Sequence, residues 1–93
     1  MEEKFAAAWH ASREQAERLG VRLRPMDEQD AVKQARRILS GNRVSDGFGT
    51  LADMGRLDLS LEALVVDKRF TALFTDEEAN NALLRLLDAG YRF

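Results

Sequence analysis

Fourteen of the 93 residues are basic, and eleven of those are arginine, whose planar, permanently charged fork suits carboxylates and phosphates. Only one group of them has the spacing of a shared surface. Lys33, Arg36 and Arg37 stand at i, i+3 and i+4, so a helix through this segment presents all three on one face. Arg43 follows just beyond. This face reads as a contact surface for an acidic partner or a nucleic-acid backbone, against the plainer alternative of a solvated helix flank.

Other combinations carry less chemistry. His10 is the single histidine and cysteine is absent, so a zinc site lacks its usual donors and thiolate catalysis has no nucleophile. No Gly-x-Ser-x-Gly elbow accompanies His10 for acyl-transfer chemistry. Gly47-Phe48-Gly49-Thr50-Leu51-Ala52 matches the G-x-G-x-x-A pattern, which lets backbone approach a pyrophosphate only after a buried strand. Here a polar turn precedes it, and no Gly-Lys-Ser/Thr ending makes it a P-loop. The acidic runs Asp27-Glu28-Gln29-Asp30 and Asp76-Glu77-Glu78 fall where helix starts are expected, and stabilising exposed N–H groups accounts for them. The expectation is a chain with no catalytic residues, no cofactor and no metal.

The elements that must position the basic face follow from periodicity and punctuation. A first helix is predicted over residues 3–19, with Phe5, Trp9, Ser12, Ala16 and Leu19 on its stripe and Gly20 as its stop. Val21-Arg22-Leu23-Arg24 alternates apolar and basic before Pro25, giving an extended linker or one short strand. The second helix is predicted from Asp27 as cap, with Met26 stapled to Ala31, to Gly41-Asn42. Its apolar stripe is Ala31, Ala35, Ile38 and Leu39. Residues 40–56 carry four of the six glycines and lead into a weak third helix with Phe48, Leu51, Ala52 and Gly55 on one face. Ser60 caps a fourth helix expected to reach about Arg69. Thr75 and Glu78 form a capping box for a fifth, with Ala79, Leu83, Leu86 and Leu87 buried and Gly90 as its stop. These elements specify an all-α protein: one domain over residues 1–93, a compact orthogonal bundle of about five short helices.

Composition narrows the class. Hydrophobic residues at 45% and charged residues at 32% describe a folded domain, and the net charge is −2. The first 45 residues carry nine basic against seven acidic side chains and the remainder five against nine, a dipolar split rather than a nucleic-acid coat. No apolar run has bilayer length and the start Met1-Glu2-Glu3-Lys4 lacks signal-peptide features, so a cytoplasmic location with no membrane partner is expected.

The expected function is a small non-enzymatic protein-interaction module: an accessory, adaptor or inhibitor whose partner is another protein or a second copy of the chain. Partner contacts are expected at Lys33, Arg36, Arg37, Arg43 and Trp9, with Trp9 and Phe93 partly exposed as anchors. The alternative is a nucleic-acid-binding regulator with a helix-turn-helix-like arrangement of helices three and four. Glu62 and Asp67, read as outward-facing, oppose it because they would meet phosphates of the same sign.

Overall fold

Phe5 is the residue around which the chain closes. It is fully buried, and the rings of Phe70 and Phe74 both meet it edge-on with centroids 5.4 Å away. This arrangement comes from a computed structural model that describes residues 1–92. Five α-helices are present: α1 (Glu2–Arg18), α2 (Ala31–Ser40), α3 (Phe48–Asp53), α4 (Leu61–Val65) and α5 (Asp76–Asp88). Single 3₁₀ turns at Leu57–Leu59 and Thr71–Leu73 flank α4, and no strand occurs among the described residues. The protein is an all-α bundle of short crossed helices, as its sequence pattern indicates. Its radius of gyration is 11.9 Å.

Every helix contributes to one apolar cluster, in which Phe5, Trp9 and Ala16 of α1 meet Ala31, Val32, Ala35 and Leu39 of α2. Leu51, Leu61, Val65, Phe70, Ala82 and Leu86 close it from the C-terminal half. α2 and α5 touch along their lengths, α1 rests on α2 and α4, and α4 lies against α5.

Helix ends obey the local signals closely. After α1, the Gly20 N–H donates to Glu17 and the Val21 N–H to Ala16, and the same pair of bonds follows α5 at Gly90 and Tyr91. The linker that leaves Gly20 is extended but unpaired. Val21 and Leu23 point into the core while Arg22 and Arg24 point out, as their alternation implies. Ser60 Oγ accepts from the Ala63 N–H, and Thr75 with Glu78 forms the full reciprocal capping box.

Four expectations are corrected. The second helix starts at Ala31, because Asp27 and Asp30 close a turn (Asp30 N to Asp27 O, 3.0 Å) and the buried stripe of this segment begins only at Ala31 and Val32. The fourth helix ends at Val65 and not near Arg69, because the chain must bend for Phe70 and Phe74 to reach Phe5; Asp67 holds that bend by accepting from the Arg69 N–H at 2.9 Å. Gly55 lies beyond α3 as its stop and is not on its face, leaving Gly49 as the single internal glycine. Finally, α5 is rotated: Glu78, Ala82 and Leu86 are buried while Leu87 is 51% exposed. Asn81 and Arg85 take the side facing α2, and that choice turns Leu84 and Leu87 outward.

Candidate binding site

The exposed side of α2 is set by its sequence: with Ala31, Val32, Ala35 and Leu39 buried, Lys33, Arg36 and Arg37 must face out, and they do. They do not act together. Arg36 Nε donates to both oxygens of Glu78 at 3.2 and 3.1 Å, which ties this guanidinium to the start of α5. The side chains of Lys33, Arg37 and Arg43 have no hydrogen bond or ion pair among the described residues.

Arg37 and Arg43 border an open cleft of about 470 Å³, joined by Arg24 from the linker. Its walls are the end of α2, through Ile38, and the loop over residues 41–46. Half-buried Ile38 and the 46% exposed Val44 supply apolar surface to the same cleft. One acid intrudes, since Asp46 lies 3.5 Å from Arg24 in an exposed pair. On the other side of Arg37 a second depression of about 430 Å³ includes Lys33, Arg36 and Glu78.

What fixes the loop is buried beneath it. Glu62 has no exposed surface, and its carboxylate accepts the Ser45 N–H at 2.9 Å, the Ser45 hydroxyl proton, and Arg85 Nη1 at 3.4 Å. Arg85 Nη2 also donates to the carbonyls of Gly41 (2.7 Å) and Ile38 (3.3 Å), and Asn81 Nδ2 to that of Leu39 (3.1 Å). Side chains from α5 thus serve carbonyls in and just after the last turn of α2, of which Ile38 O also accepts the Gly41 N–H, and a cation there complements the helix dipole. No buried side-chain polar atom among the described residues lacks a partner.

Gly47 closes the loop. Its φ of +79° is left-handed, and a β-carbon there would stand 2.6 Å from Leu23 Cδ2, so glycine serves both the turn into α3 and the close approach of the linker. The glycine pattern at residues 47–52 therefore has a structural cause in this fold, and no strand precedes it.

Two residues stand differently from their sequence reading. Trp9 is not an exposed anchor: it is 2% exposed because the linker folds back over α1, and its indole Nε1 donates to the Arg24 carbonyl at 2.9 Å. It positions the backbone beside the cleft instead of lining it. Glu62 was expected at the surface and is at the centre. The expected anchor Phe93 lies outside the described residues. His10 is exposed, 3.3 Å from Glu14 one turn on, and among the described residues no group of three or more His, Asp or Glu is placed to hold a metal ion.

The residues that local reasoning missed are Arg24, Ser45, Glu62 and Arg85. The in-out alternation of residues 21–24 already turns Arg24 outward, so that signal was present. Glu62 and Arg85 had none, because their partners are distant in sequence. No helix among the described residues is long and apolar enough to cross a membrane. Comparison with protein-family models, with curated proteins and with solved structures returns no match for this chain.

Proposed function

We propose that this chain is a small, non-enzymatic protein-interaction module whose contact surface is the arginine-lined cleft beside the end of α2. The observation that supports this reading best is the combination of Arg37 and Arg43, both without internal partners, on a backbone held by a buried network. With the backbone beneath them already held, contact with an opposite charge orders only the side chains and not the loop, which favours specific contact. A non-catalytic role fits the cleft's chemistry. Its one hydroxyl, on Ser45, is itself buried and gives its proton to a fully buried carboxylate, so it is committed to structure.

The nucleic-acid reading has support in the same cations but loses its helix-turn-helix form. α4, the would-be recognition helix, has five residues, and Leu61, Glu62, Leu64 and Val65 are all buried, leaving no face for a major groove.

Affinity capture from the source cell, using the wild-type chain and an Arg37→Glu/Arg43→Glu variant in parallel, tests the proposal. A protein retained by the wild type and lost with the variant supports it. Recovery of no partner under gentle conditions by either chain defeats it. Sedimentation of the purified chain separates a second copy from a foreign partner.

A further inference from the structure

The cleft has a more specific chemistry than a basic patch. Arg24, Arg37 and Arg43 reach it from three separate segments, and Ile38 and Val44 line the same cleft. We infer that the cleft docks an extended acidic segment of a partner protein, one in which carboxylates flank a single aliphatic side chain. This rests on the reading of the chain as an interaction module. The carboxylates would pair with Arg37 and Arg43, whose guanidinium groups can each donate two parallel N–H bonds to one carboxylate. The aliphatic side chain would lie over Ile38 and Val44, removing apolar surface from water. Arg24 offers a third contact, because its present pairing with Asp46 is exposed and 3.5 Å long, and a competing carboxylate displaces such a pair at little cost.

A nucleic-acid backbone fits less well. Asp46 in the cleft and Asp30 beside Lys33 and Arg37 interrupt the positive surface, whereas a phosphate chain presents charge at every step. A peptide can space its carboxylates around those two acids. Single strands also rely on aromatic stacking, and the described aromatic rings here are buried or, for Tyr91, half-buried. Arg36 does not line the cleft, and its Nε is held by both oxygens of Glu78.

Fluorescence anisotropy with a short labelled peptide, Asp-Glu-Leu-Glu-Asp flanked by Gly-Ser, tests the inference. Saturable binding is expected, weakened roughly tenfold or more by Arg37→Glu/Arg43→Glu. Replacing the peptide's leucine with serine should also weaken it by several-fold. Lys68→Glu makes the same kind of charge change on an exposed residue away from the cleft and should alter binding by less than about twofold. Circular-dichroism melting of each variant checks folding, and Arg37→Gln/Arg43→Gln, which removes the two charges without reversing them, is expected to weaken binding as well.

The inference is overturned by any of four results: no saturable binding to the wild type, an equal loss with Lys68→Glu, indifference to the leucine, or tighter binding of a short DNA duplex than of the peptide. Its failure is distinguishable from that of the interaction reading. A partner captured from cells equally by the wild type and the Arg37→Glu/Arg43→Glu chain refutes this cleft and leaves the module standing, whereas capture of nothing refutes both.

Discussion

Glu62 occupies the second position of α4, where an acid normally faces water and the helix dipole. In this fold it is sealed in, and its charge is offset by Arg85, by the Ser45 amide and by the Ser45 hydroxyl. A buried pair of this kind contributes modestly against an apolar replacement, but removing one partner strands the other. Glu62→Ala is therefore expected to destabilise the chain by about 3–5 kcal/mol, read as a fall in the urea midpoint. Glu62→Gln keeps the shape and still accepts one of the bonds, so its loss is smaller, roughly 1–3 kcal/mol. Equal midpoints for wild type and Glu62→Ala would show that the carboxylate is not the anchor described above. The contrast with α2 explains what the sequence could reveal at this scale. Lys33, Arg36 and Arg37 are neighbours by helical spacing, and their exposure follows from four buried residues on the same helix. The partners of Glu62 are 17 and 23 positions away, and the one that captures Arg36 is 42 away. No local spacing announces pairs of that kind.

At the scale of elements, two of the three caps and all three glycine stops were legible because each is a contact between near neighbours, whereas Asp27 was misread as the cap of α2, which starts at Ala31. Ser60, Thr75, Gly20, Gly41 and Gly90 punctuate the chain where their chemistry says they should. Thr75→Ala is expected to cost about 1 kcal/mol through loss of the Glu78 N–H acceptor. Glu78 adds a pH dependence. Burial alone would raise its carboxyl, but the Thr75 amide, the Arg36 guanidinium and the Thr75 hydroxyl outweigh that and hold it below its ordinary range. With the folded pKa depressed, the unfolded chain takes up the proton first as pH falls. The stabilisation is thus complete above the unfolded value, about 4.3, and is lost as pH falls through the folded one. Thermal midpoints of Glu78→Gln should accordingly change less than those of the wild type across the acid range, and parallel curves would refute this assignment. What the sequence withheld was how far helices run and which way they roll. α4 stops early because two phenylalanines must reach Phe5, and α5 rolls because Asn81 and Arg85 serve the end of α2; both are tertiary demands. The glycine-rich segment shows the same division. Gly47→Ala, with a positive φ and the Leu23 contact, is expected to cost about 2–4 kcal/mol. Gly49→Ala, inside α3 with nothing within 4 Å, is expected to add about 0.5–1 kcal/mol. Chemical denaturation of the two variants should move in opposite directions.

For the molecule as a whole, the cleft is shaped by residues that do not line it. Its lining comes from the linker, α2 and the loop over residues 41–46, while the groups that hold that loop belong to α4 and α5. The end of α2 and the loop after it, from the first half of the chain, are thereby mounted on α4 and α5 from the second. Mechanical dependence of this kind is separable from charge. Glu62→Gln combined with Arg85→Met removes one charge of each sign and leaves the net charge of −2 unchanged. It also removes the side-chain donor that the Gly41 carbonyl has and that the Ile38 carbonyl shares with the Gly41 N–H, and weakens the acceptor of the Ser45 amide. Amides of residues 41–46 and of the last turn of α2 should then exchange hydrogen roughly tenfold faster or more, as expected when a local opening loses one or two net hydrogen bonds. Amides in the middle of α1, which makes none of these contacts, should keep the rate set by global stability. Uniform acceleration throughout the chain would mean that the pair stabilises the whole fold without specifically mounting the loop. If the loop alone loosens, the acidic peptide should bind more weakly although Arg24, Arg37 and Arg43 are all in place, because a mobile mount returns to each contact the entropy that a rigid one had already given up.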